Sequence, residues 1–195
     1  MRADEFYQEL IKICAQPPYN RYGRLAELHT EIVMRYLSTL RTMTRKQARQ
    51  SGADGRTIAQ VVGHIAEWER YVIFATAEIV NGIKWPRIMT FTGFLDTDGQ
   101  ELSFDSTDAF NAHHAAKHAT QPWEEIQELA IHTATALHTI FTQPTILSPD
   151  SLERTNDYKW RLPSGITLTM PVGWHLWLIS IEHEAVDHTE DLGWQ

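Results

Sequence analysis

The 195-residue chain contains one cysteine, Cys14. With no second thiol there is no intrachain disulfide and no multi-cysteine zinc or iron–sulfur site, so any metal must rest on nitrogen and oxygen ligands. Long apolar runs are equally scarce, and none approaches the roughly 18 residues that a membrane-spanning helix needs. The N-terminal "MRADEFYQELIKIC" interleaves acidic with apolar residues and has no continuous hydrophobic region. It does not fit a secretory signal, and the cytoplasm is the expected location. Positive charge is thin as well: 17 Lys and Arg stand against 25 Asp and Glu, a net charge of −8. Beyond the short "RTMTRKQAR" there is no basic stripe to drive counterion release, so neither nucleic acid nor a membrane is an expected partner. No Gly-rich phosphate loop occurs, and "LPSGI" lacks the strand–elbow–helix context of a serine nucleophile.

What is abundant is histidine, ten residues, in a chain that is otherwise 43% hydrophobic and 22% charged. Histidine supplies metal ligands and proton carriers near neutral pH, so position must decide its role. The length suits one domain over residues 1–195. A short N-terminal helix should end at "QPPYN". The window 22–48 then places Leu25, Leu28, Ile32, Leu37, Leu40 and Met43 at helical spacing. After "SGADG", Thr57 and Gln60 of "TIAQ" read as a capping box that opens a helix over 57–81. Residues 82–105 mix Gly, Pro, Asp and aromatics without a steady period and predict a long loop with brief strands. Helical character returns at "STDAFNAHHAAKH" and runs on to about residue 141, kinked or broken at Pro122. "YKWRLPSGITLTM" alternates around a Pro-Ser-Gly turn and predicts a small β-hairpin, and a last helix should run from Gly173 to no later than Gly193. The expected fold is all-α: a four-helix bundle with a short N-terminal helix and that hairpin before the last helix.

The last helix carries "SIEHEAVDHTEDL". At about 100° per residue from Ile181, the residues Trp174, Trp177, Leu178, Ala185 and Leu192 gather within about 60° on one apolar face, with His188 near its centre. Glu184 falls on a shoulder of that face, as does Asp191, whereas His183 and Asp187 fall on the far side and read as a solvated pair. Glu184 and His188 stand one turn apart and could bind one ion together. A Glu–His hydrogen bond at a wet helix end explains them equally well. On the second helix, His64 lies on a shoulder with Trp68, behind Gly63, whose cost in helix propensity of about 1 kcal/mol favours a packing or site role.

These residues resemble a known family. "TIAQVVGHIAEWERYV" and "EHEAVDHTEDL" are similar to the second- and last-helix signatures of the DinB-like (YfiT-like) superfamily of metal-dependent hydrolases and thiol-dependent enzymes. Glu184, His188, Asp191 and Leu192 fit its Glu-x3-His variant, as in members resembling mycothiol-dependent maleylpyruvate isomerases. "DAFNAHHAAKHATQPWEEIQELAIHTATALHTIF" also resembles the third helix of the ClbS-like branch, linked to cyclopropane hydrolysis. The resemblance implies a bundle whose metal ligands are His64, Glu184 and His188.

A set of two histidines and one glutamate leaves coordination positions open, as catalytic sites do. The expected cofactor is a divalent metal, zinc or nickel first, with iron and manganese compatible, together with a low-molecular-weight thiol in the transferase case. The expected activity is hydrolysis of a small molecule or its transfer to such a thiol, in a chain that could form a homodimer. The alternative is a non-catalytic binding or sequestering protein with a structural or vacant site. Trp68, Trp85 and Trp160 are candidates for the mouth of the site, or else core residues and loop anchors. His114 and His118, with His113 adjacent, have ligand spacing, but Lys117 and the polar surroundings suggest an exposed face. His29, His132, His138 and His175 read as surface or hydrogen-bonded residues.

Overall fold

The computed structural model describes the backbone of residues 3–51 and 55–187, and the side chains of 5–51 and 55–185. The protein is mostly helical, with two small two-stranded sheets. Helix α1 spans Ala3–Cys14, and α2 (Pro18–Thr42) begins on the second proline of "PP", where a missing N–H costs no helical bond. The predicted window to residue 48 is interrupted. Chain direction changes at Met43, and Thr44 with Gln47 makes a reciprocal capping box that opens the short α3 (Arg45–Ala48). The box predicted at Thr57 and Gln60 is present and starts α4 (Ile58–Val80).

The loop that follows holds one 3-10 turn (Arg87–Thr90) and the brief antiparallel pair β1 (Phe94–Leu95) and β2 (Glu101–Leu102). The long helical stretch is broken where proline was expected to break it. α5 covers Thr107–His118, and Pro122 sits immediately before α6 (Trp123–Thr142). After α7 (Pro149–Glu153), the hairpin pairs β3 (Asp157–Arg161) with β4 (Thr167–Pro171) in the register Asp157 to Pro171 through Arg161 to Thr167. α8 (Val172–Glu182) then passes into a π-helical turn at His183–Asp187. His188, Asp191 and Leu192 lie outside the described residues. No described helix is long and apolar enough to cross a membrane.

α4 packs against α6, α5 and α8, while α2 packs on α6 and on the π turn. Apolar side chains form two clusters. One joins α1, the first half of α2, the end of α4 and α8, through residues such as Leu25, Val72, Trp174 and Trp177. The other joins Val33, Leu40, Val61, Ile65, Ile126 and Ala130. Near the junction of the two along α2, α4 and α6 lie buried polar residues: His29, Glu67, Glu69 and Thr133. They form a buried polar layer.

Candidate functional site

α8 is buried on almost every side, since all of its residues except Ile179 are buried. Its apolar stripe, Trp174, Trp177, Leu178 and Ile181, faces the core as the helix wheel requires. The opposite face lies inside the molecule, on a cavity. His175, Leu176, Ile179, Ser180 and His183 line a cavity of about 570 Å³, whose far walls include His64, Trp68 and Glu69 of α4, Trp85, Phe91 and Tyr158. His183, expected on a solvated outer face, stands half-buried in the wall of this cavity instead. Its ring stands 5.9 Å from that of His64 and stacks on Trp68 at 6.0 Å between centroids. A helix wheel locates the face opposite the core stripe but not what covers it, and here the hairpin and the long loop do.

Of the expected ligands, His64 lines this cavity, edge-on to Trp68. Glu184 is 1% exposed and faces the polar layer, its Oε2 3.5 Å from His29 Nε2. His29 accepts from Trp177 Nε1 at 3.1 Å through Nδ1, which orients its Nε2 towards Glu184. Glu69 stands beside Glu184 and also reaches the cavity, accepting from Thr133 Oγ1 at 2.5 Å. Burial, then the neighbouring carboxylate, pushes Glu69 well above its ordinary range; burial raises Glu184 to about 8. His29 is pushed down to about 3 by burial. Both oxygens of Glu184 and Oε1 of Glu69 are buried and meet no donor other than a proton shared between these two carboxyls. Such orphaned oxygens call for a proton or a cation.

Trp68 and Trp85 do line the cavity, and Asn111 Oδ1 holds the Trp68 indole at 3.1 Å. Trp160 instead belongs to the core, edge-on to His175 at 5.3 Å. Among the remaining histidines, His138 meets Thr30 Oγ1 at 2.9 Å, and His132 is exposed, as expected. His175 is buried and stacked on Tyr158 at 4.2 Å.

The second correction concerns "HHAAKH". His113 is exposed, but His114 and His118 are 0% and 3% exposed. They face a fully buried carboxylate, Glu67 of α4, and these three residues form a group that could hold a metal ion. Glu67 was not singled out from the sequence because its partners lie on another helix. Its one visible signal is position, one turn after Gly63. Burial penalises its charge, but the facing His114 and His118 imidazoles and the Arg70 guanidinium outweigh that, and the carboxyl titrates well below its usual range.

No protein-family model matches the chain, and no curated protein matches it. Two solved structures do match in three dimensions: mycothiol-dependent maleylpyruvate isomerase, at 16% identity, and a point mutant of the same enzyme, at 15%. Each gives a TM-score of 0.61 over 88% of this chain. The match spans 60% of the isomerase chain. The DinB-like fold expected from the sequence is thus the fold of the protein.

Proposed function

From a chain that shares its fold with a thiol-dependent isomerase, we propose a metal-dependent enzyme acting on a small molecule in the His64 cavity. It either hydrolyses that molecule or joins it to a low-molecular-weight thiol. The observation that carries this reading is the meeting of His64 and His183 in the wall of a 570 Å³ cavity whose lining also includes Trp68, Trp85, Phe91 and Tyr158. A concave site that combines aromatic and aliphatic side chains with a few convergent polar groups suits a small organic ligand. The proposed metal ligands are His64, Glu184 and His188, with α2, α4, α6 and α8 as the four helices of a bundle. A fit with a cation is supported at Glu184, whose two buried oxygens face no donor beyond a proton shared with Glu69.

A divalent ion bound there supplies Lewis acidity and lowers the pKa of a bound water or thiol. Two nitrogens and one carboxylate favour zinc or nickel and also accept iron or manganese. The aromatic walls bind the substrate's apolar part and keep water from it. His175 and Asn111 offer polar contacts that orient it, and Asn111 fixes the Trp68 ring. Protonated Glu69 holds one proton between the cavity and Glu184, with Thr133 donating to its Oε2.

Metal analysis of tag-free protein tests the reading. Wild type is expected to retain metal that His188→Ala and His64→Ala lose; equally low metal in all three would end it. For metal-retaining protein, a panel of thiols and electrophiles separates catalysis from the alternative of a binding or sequestering protein, which silence across the panel would favour.

A further inference from the structure

Glu67 Oε1 lies 3.5 Å from His114 Nδ1 and 3.4 Å from His118 Nε2. Buried N–H···O hydrogen bonds close to about 2.9 Å, and these have not closed. Both ring nitrogens of His114 and Nε2 of His118 are buried without a hydrogen-bond partner. The separations match instead the edge between neighbouring ligands of a tetrahedral ion, about 3.4 Å for bonds of about 2.0–2.2 Å. Three candidate ligand atoms lie within 4.8 Å of one another. His118 Nδ1 is 2.6 Å from Gln121 Oε1. That amide oxygen can only accept, so it holds the proton on Nδ1 and leaves the Nε2 lone pair aimed at Glu67. Space has been cleared as well: a Cβ on Gly63 would stand 2.6 Å from the His118 ring.

We propose that Glu67, His114 and His118 bind a divalent transition-metal ion that clasps α5 to α4, at a site separate from the His64 cavity. Two imidazoles and one carboxylate select zinc, cobalt or nickel over calcium or magnesium. The neighbouring cations leave room. Arg70 occupies the other oxygen, Oε2, at 2.9 Å, and Lys117 bonds Asp96 at 2.6 Å as well as Glu67 Oε1 at 3.0 Å. Lys117 therefore yields Oε1 to the ion and keeps Asp96. Phe94 and Phe110 pack on the His114 ring at 4.9 and 4.4 Å, which shields that side of the site and suits a structural role. None of the three ligands lines the His64 cavity, but α5 supplies Thr107 and Asn111 to its wall, so the clasp fixes that wall.

Tag-free protein, stripped with chelator and dialysed against zinc, provides the test. His114→Gln, His118→Gln and Glu67→Gln should each bind one zinc fewer than wild type and lose part of the zinc-induced rise in Tm, whereas His64→Ala should keep this equivalent. Gln121→Ala, which alters only the orienting contact, should weaken that zinc by about 10–100-fold while folding normally. Unchanged zinc stoichiometry in folded His114→Gln and His118→Gln, or unchanged affinity in Gln121→Ala, overturns the clasp. Loss of zinc by His64→Ala alone would overturn it while sparing the cavity reading; loss by the α5 variants alone does the reverse.

Discussion

Single side chains in this protein matter through what they leave out as much as through what they add. Gly63 sits inside α4, where alanine would improve helix propensity by about 1 kcal/mol. A Cβ there would stand 2.6 Å from the His118 imidazole, itself buried and held by Gln121. Gly63→Ala is therefore expected to destabilise, by about 1–3 kcal/mol of overpacking, as read from the midpoint of urea unfolding. An unchanged or raised midpoint would show that the ring moves freely. The sequence exposed Gly63 as an oddity but not its partner. Glu67 resembles any helix-surface carboxylate in "AEWER", and only the packing of α5 on α4 brings Lys117, His114 and His118 to it. A buried charge is hard to see in sequence because its compensation is nonlocal.

At the scale of elements, signals that act within one turn were legible. Thr57 accepts from Gln60 N at 3.2 Å and Gln60 Oε1 accepts from Thr57 N at 2.8 Å, as the motif requires. Thr57→Ala should cost about 1 kcal/mol by thermal or urea unfolding, since α4 carries both core clusters. The same loss at Thr44 should cost less, because the four-residue α3 buries only Ala48. Equal effects would contradict this ranking. The Thr44–Gln47 box was equally present in "TRKQ", yet a continuing apolar period concealed it. In α8 the periodicity found the core stripe but misjudged the rest, because a helix buried on both sides has no water face for a wheel to locate. His183 was assigned to solvent for that reason, and it is the residue that meets His64.

Across the whole molecule, buried titratable groups pull stability in opposite directions with pH. Burial lowers His29 to about 3 and lowers both His138 and His175 to about 4, with His114 shifted in the same sense. The unfolded chain takes up protons near pH 6.5 that these folded imidazoles refuse, so acidification from about 6.5 towards 4 favours unfolding. Glu184 and Glu69 act oppositely. Burial raises Glu184 to about 8 and Glu69 well above its ordinary value, so the folded protein holds protons that the unfolded chain releases above about 4.5. Their contribution is complete at low pH and drains away as pH rises towards 8. Between about 4.5 and 6.5 the histidines oppose the carboxylates; above 6.5 the carboxylates act alone. The metal-free protein should therefore be most stable near pH 6.5, with a lower urea midpoint at pH 8, and Glu184→Gln should flatten that alkaline decline. A midpoint that climbs from 6.5 to 8 in chelator would refute the assignment. Zinc supplies a sharper contrast: an ion held by Glu184 takes the place of its proton, so added metal should raise stability more at pH 8 than at pH 6 and release protons on binding. The clasp at Glu67 predicts no such asymmetry from its carboxyl, which is held ionised across this range without metal.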